Sequence, residues 1–80
     1  MTRNDGVETR RQRIQMVNQK VVGSLNTSKE KWISLKRIVA DLQYESGLTT
    51  RRIIEYLSIG EERGLFVIDL KNNQIRKLES

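Results

Sequence analysis

At 80 residues the chain has room for one domain, and folding at that size buries only about 60–65% of the unfolded chain's surface, so the core is small. Fifteen Lys and Arg against ten Asp and Glu leave a formal charge of +5 with 36% hydrophobic residues, a surplus that favours a polyanionic partner. With no cysteine and no histidine, disulfides, thiolate metal sites and His-based hydrolytic triads are excluded, and no metal or cofactor is expected.

Met1 to Gly6 is polar and offers nothing apolar to dock, so residues 1–6 are expected to form a disordered tail before a single domain over 7–80. That start lacks the apolar region of a signal peptide, and no apolar run approaches the ~18 residues of a membrane span. A cytoplasmic, nucleoid-associated location is the expectation, with no membrane partner. From Val7 onward a 100° step per residue places Val7, Ile14, Val17, Val21 and Leu25 in one stripe, with Gln12, Gln15, Met16 and Gln19 opposite. The spacing predicts an amphipathic helix over 7–25. Gly23, Ser24, Asn26, Thr27 and Ser28 then supply helix-ending and turn chemistry before a loop to about residue 31.

Trp32 and Ile33 suggest a very short strand at 32–33, with Trp32 in the core, leading to Ser34 as the N-cap of a second helix over 34–46. Leu35, Ile38, Val39 and Leu42 share a face of that helix, and Gly47 is its natural C-terminal stop. Thr49 caps a third helix over 49–63, whose inward positions are Ile53, Leu57, Gly60 and Gly64, with Ile54 at the edge. Gly60 costs about 1 kcal/mol relative to Ala in a helix interior, so its presence points to close packing. The period then changes to two, predicting strands over 65–70 and 75–79 joined by a two-residue turn at Asn72-Asn73. That register opposes Leu70 to Ile75, Asp69 to Arg76 and Val67 to Leu78. The expected core is Leu35, Ile38, Val39, Leu42, Ile53, Leu57 and Leu65.

Gly47-Leu48-Thr49-Thr50-Arg51-Arg52-Ile53-Ile54-Glu55-Tyr56-Leu57, running into Glu61-Glu62-Arg63-Gly64-Leu65-Phe66, resembles the turn, recognition helix and start of the wing in the winged helix-turn-helix superfamily of small archaeal and bacterial DNA-binding domains. The resemblance covers residues 32–78, with Gln43-Tyr44-Glu45-Ser46 absorbed as one more helical turn. It implies an α+β, mainly helical fold with three helices and a C-terminal β-hairpin wing, and double-stranded DNA as the partner.

Arg51 and Arg52 sit in the first turn of the third helix, where cations oppose the helix macrodipole. Insertion of that N-terminus into a major groove would account for both, and arginine can bind guanine bidentately. Either one alone is as readily explained by solvent or by pairing with Glu55. Thr50 offers a hydroxyl or backbone N–H to a phosphate, while Thr49 is explained by capping. Tyr56 lies at the boundary of the buried face, either a core tyrosine or a phenol reaching a phosphate. Lys36 and Arg37 open the second helix, with Lys29 and Lys31 before it, and suit backbone contact or a solvated face. Lys71, Asn72, Asn73 and Gln74 form the hairpin tip, suited to phosphate or minor-groove contact, although turn propensity alone explains the asparagines. Arg10, Arg11 and Arg13 either touch DNA or keep the first helix soluble, and Tyr44 is outward surface or a partner contact.

The leading expectation is a small transcription regulator that inserts helix 49–63 into the major groove and sets its wing on the backbone. The alternative is a winged-helix protein-interaction subunit of a replication, transcription or viral assembly. An enzyme is disfavoured, because the carboxylates are scattered along helices without metal-ligand spacing. The apolar stripe of the first helix is seam-like and predicts a homodimer through that helix, with half-sites about 34–36 Å apart, unless the stripe packs wholly within its own monomer.

Overall fold

The computed structural model describes the backbone of residues 5–78 and the side chains of residues 9–78. It is a small α+β domain, mainly helical, built from α1 (Asp5–Thr27), β1 (Trp32–Ser34), α2 (Leu35–Ser46), α3 (Thr50–Glu62), β2 (Phe66–Asp69) and β3 (Gln74–Lys77). The three strands form one antiparallel sheet in the order β1-β3-β2.

Helix α1 runs further at both ends than the apolar period indicates. Asp5 and Gly6, read as tail, are helical, and residues 1–4 lie outside the described residues. At the other end Gly23, Ser24, Asn26 and Thr27 continue the helix instead of ending it. Thr27 Oγ1 donates to the Ser24 carbonyl at 3.1 Å and the Ser28 N–H to the Leu25 carbonyl at 3.2 Å, so one hydroxyl and one backbone amide close the last turn.

Capping fixes the other two helices where the sequence places it. Ser34 Oγ accepts from the Arg37 N–H at 3.3 Å and Thr49 Oγ1 from the Arg52 N–H at 3.2 Å. Gly47 adopts φ 75°, the left-handed conformation that a C-terminal stop requires, and its N–H reaches the Gln43 carbonyl at 2.8 Å. The segment Gln43–Ser46 extends α2 by one turn, and the exposed Lys20–Glu45 ion pair at 2.6 Å ties that turn to α1.

Val17, Val21 and Leu25 of α1 pack against Leu35, Ile38, Val39 and Leu42 of α2, Ile53, Tyr56 and Leu57 of α3, and Phe66 and Ile75 of the sheet. Val17, Val21 and Leu25 of the α1 stripe are thus consumed by the chain's own core. Val17 and Val21 are fully covered without a second chain, Ile14 is half-buried, and the side chain of Val7 lies outside the described residues. Two aromatic and apolar assignments change with strand phase. Phe66 is 1% exposed and Leu65 40%, because Phe66 and Ile68 share the inner face of β2 while Leu65 and Val67 turn outward. Trp32 is likewise 37% exposed, since alternation along β1 sends Ile33 to the core and Trp32 to the outer face. Gly64 is exposed as well, in the turn that follows α3.

The hairpin register is shifted by two residues from the expected one. Asp69 opposes Gln74, Ile68 opposes Ile75 and Val67 opposes Arg76. The connection is a four-residue loop, Leu70 to Asn73, in which the Asn73 N–H bonds to the Leu70 carbonyl at 3.3 Å and Asn73 alone takes positive φ, 55°. A two-residue turn of the primed type needs positive φ at both central residues, and Asn72 is committed instead to Asp69. A shift of two leaves every side chain on its original face, so Asp69 still approaches Arg76, at 4.0 Å on the diagonal.

Close packing at Gly60 is borne out. A Cβ there would collide with Asn18 Oδ1 and lie 2.6 Å from Phe66 Cζ, so α1, α3 and β2 meet at a point with no space for a methyl group. Gly60→Ala is expected to lower stability by ~1–3 kcal/mol, overpacking outweighing the ~1 kcal/mol gain in helix propensity. Urea denaturation checks the sign: a stabilised Gly60→Ala protein would mean that the three elements do not meet there.

Candidate nucleic-acid interface

Two of the helices, α2 and α3, open on exposed basic residues. In the first turn of α3, Thr50, Arg51 and Arg52 are all exposed, and the turn holds no acidic residue. Thr49 already satisfies the Arg52 N–H, leaving the side chains of Thr50 and Arg51 without a capping duty. Arg52 Nη1 lies 3.8 Å from Glu55 Oε1 across one turn, both groups about half exposed, which is a pair worth little in water. Arg51 makes no ion pair with a described side chain. Positive charge at this end opposes the macrodipole by ~0.3–1 kcal/mol per residue, so local energetics do not account for it.

Lys36 and Arg37 begin α2 in the same manner, exposed and without an acidic residue in the turn. The hairpin loop reaches this end of α2, because the Leu35 N–H donates to the Asn73 carbonyl at 3.0 Å. That bond satisfies one of the orphan amides of α2 and brings Lys36, Arg37, Lys71, Asn72 and Asn73 into one neighbourhood. The two basic groups lie at opposite ends of α2, about 18 Å of helix apart. Lys31, before β1, serves the sheet, since it takes φ 64° and its carbonyl accepts from the Lys77 N–H at 2.8 Å, extending the edge. Lys29 is exposed in the same loop.

Tyr56 is corrected from a phosphate contact to a core residue. It is 2% exposed, because the α3 face that carries Ile53, Leu57 and Gly60 inward includes it as well. Tyr44, by contrast, is almost fully exposed on the far side of α2. Strand pairing also assembles a row that the sequence did not single out, Trp32, Arg76 and Val67, side by side across the outer face of the sheet. Their individual exposure follows from alternation, but their neighbourhood depends on a strand order that no local pattern encodes.

Asp69 fastens the hairpin loop. Its Oδ1 accepts from the Asn72 N–H at 3.1 Å and its Oδ2 from Asn72 Nδ2 at 2.7 Å. The side-chain hydrogen bond from Asn72, then its backbone N–H, with Arg76 nearby, hold the Asp69 carboxyl below its ordinary pKa. A depressed folded-state pKa contributes stability above the unfolded value, and that contribution is lost as pH falls through the folded one. The Asn72 amide is therefore expected to hold its chemical shift from neutral pH through the usual carboxylate range and to move only in more acid solution. In Asp69→Asn the acid transition should vanish; if the Asn72 amide still shifts in acid, another group controls the loop.

No family model, curated protein or solved structure matches the chain. Among the described residues no helix is long and apolar enough to cross a membrane, and no group of acidic residues is placed to hold a metal ion.

Proposed function

We propose that the chain is a winged helix-turn-helix DNA-binding protein, most simply a small transcription regulator, with α3 as the recognition helix and the β2–β3 hairpin as a short wing. The observation that carries this reading is the exposed first turn of α3, where Arg51 and Arg52 stand against the helix dipole with only the weak Arg52–Glu55 pair to offset it. Recognition helices contact base edges with their N-terminal residues, and a phosphate-lined groove converts that unfavourable local charge into a favourable one. The element order and the β1-β3-β2 sheet support the same reading, as does the net charge of +5. The group at the start of α2 and the hairpin loop, Lys36, Arg37 and Lys71 with the two asparagines, has the chemistry to hold phosphates and set register.

Binding to duplex DNA is expected to weaken steeply with salt, each neutralised phosphate contributing a slope of about −0.9 on logarithmic axes. Lys71→Ala should weaken all duplexes alike and reduce the slope by about 1. Fluorescence anisotropy over a salt series measures both quantities. Absence of binding to random and selected duplexes at low salt would remove DNA from the reading.

A further inference from the structure

Beyond the basic starts of α2 and α3, the flank of α1 carries a second surface of different chemistry. Two adjoining clefts of about 480 and 450 Å³ run between α1 and the end of α3, sharing Gln15 and Arg63 and so forming one groove. Arg11, Gln15, Val22 and Asn26 recur at helical spacing along its α1 wall. From Arg10 to Asn26 that wall is about 24 Å long. The opposite wall is Ile59, Arg63 and Leu65, from the end of α3 and the turn after it.

The lining is both apolar and cationic. Ile14, Val22 and Ile59 are half-buried with part of their surface open, and Leu65 faces outward instead of filling the core. Among the described residues, Arg10, Arg11 and Arg63 make no ion pair and no acidic side chain lines either cleft. Asn18, in the wall, is 3% exposed with Oδ1 unpaired among the described residues. We infer that this groove docks an acidic amphipathic helix of a partner protein, its apolar stripe on Ile14, Ile59 and Leu65 and its carboxylates against Arg10, Arg11 and Arg63. Charge selects this occupant over a second copy of the chain, since a two-fold contact would oppose the arginines to one another. The apolar floor selects it over a phosphate backbone, which has no use for isoleucine and leucine.

The probe is a capped synthetic peptide of about 16 residues, long enough to follow the groove as a helix, with leucines at helical spacing and flanking glutamates. A control peptide carries lysines in place of the glutamates. In nitrogen-15-labelled protein the acidic peptide is expected to shift the amides of Gln15, Val22, Arg63 and Leu65, and the control to shift none. Arg63→Glu, and separately Leu65→Asp, should each weaken binding by about tenfold or more. Both positions are exposed, and unchanged melting confirms that the variants fold. The proposal is overturned if the acidic peptide leaves these amides unmoved, or if either variant binds it as the parent does. It is also overturned if a DNA duplex shifts the same set, assigning the groove to phosphate, or if sedimentation gives a dimer that Arg63→Glu dissociates.

Discussion

Phe66→Ala is expected to cost ~3–5 kcal/mol, while the neighbouring Leu65→Ala costs less than about 1 kcal/mol. Phe66 heads the large side chains that are fully buried, and it reaches Gly60 at the meeting point of α1, α3 and β2. Its removal leaves a cavity bounded by helix backbone on one side and by core side chains on the other, with little freedom to collapse. A domain of this length is expected to have about 4–12 kcal/mol of stability in all, so the loss is a large share of the total. Denaturant midpoints at unchanged slope measure both variants. Equal losses at 65 and 66, or a larger one at 65, would mean that the phase of β2 is reversed.

Why the sequence pointed to Leu65 explains what it could and could not convey. Helix positions were legible because a 3.6-residue period, a hydroxyl cap at Ser34 and Thr49 and a glycine stop at Gly47 are independent local signals that agree. In β2 the alternating sets, Leu65-Val67 and Phe66-Ile68, are both apolar, so period two identifies a strand without saying which face is inside. Only the positions of α1 and α3 decide, and Gly60 marks where they do. Trp32 misleads for the same reason, since it and Ile33 are both large and one of them has to face out. The hairpin register failed on turn chemistry: Asn72-Asn73 is a sound two-residue turn in isolation, but Asp69 competes for Asn72. The charged residues at helix starts were visible as violations of a local rule, whereas the groove along α1 was not, because Arg63 and Leu65 reach it from the far end of α3.

With α3 as the proposed recognition helix, replacing Arg51 and Arg52 together by alanine is expected to abolish the site-selective DNA binding that this reading requires, without destabilising the fold. A residue that reads a base contributes ~1–3 kcal/mol at its preferred site, so loss of both should lower affinity there by more than about thirtyfold. Arg51→Ala should carry the larger single effect, because Arg51 is unpaired among the described side chains while Arg52 must first exchange its contact with Glu55. Glu55→Gln then frees Arg52 and is expected to raise affinity slightly. Stability moves in the opposite direction: removing cations from the first turn of α3 relieves ~0.3–1 kcal/mol per residue, against which the exposed Arg52–Glu55 pair counts for little. The double variant should therefore melt at or above the temperature of the parent while binding DNA poorly. That pairing of signs separates a recognition role from a structural one, since arginines that merely supported the helix would lose stability with affinity. A double variant that binds selected and random duplexes as the parent does would show that α3 is not the reading helix.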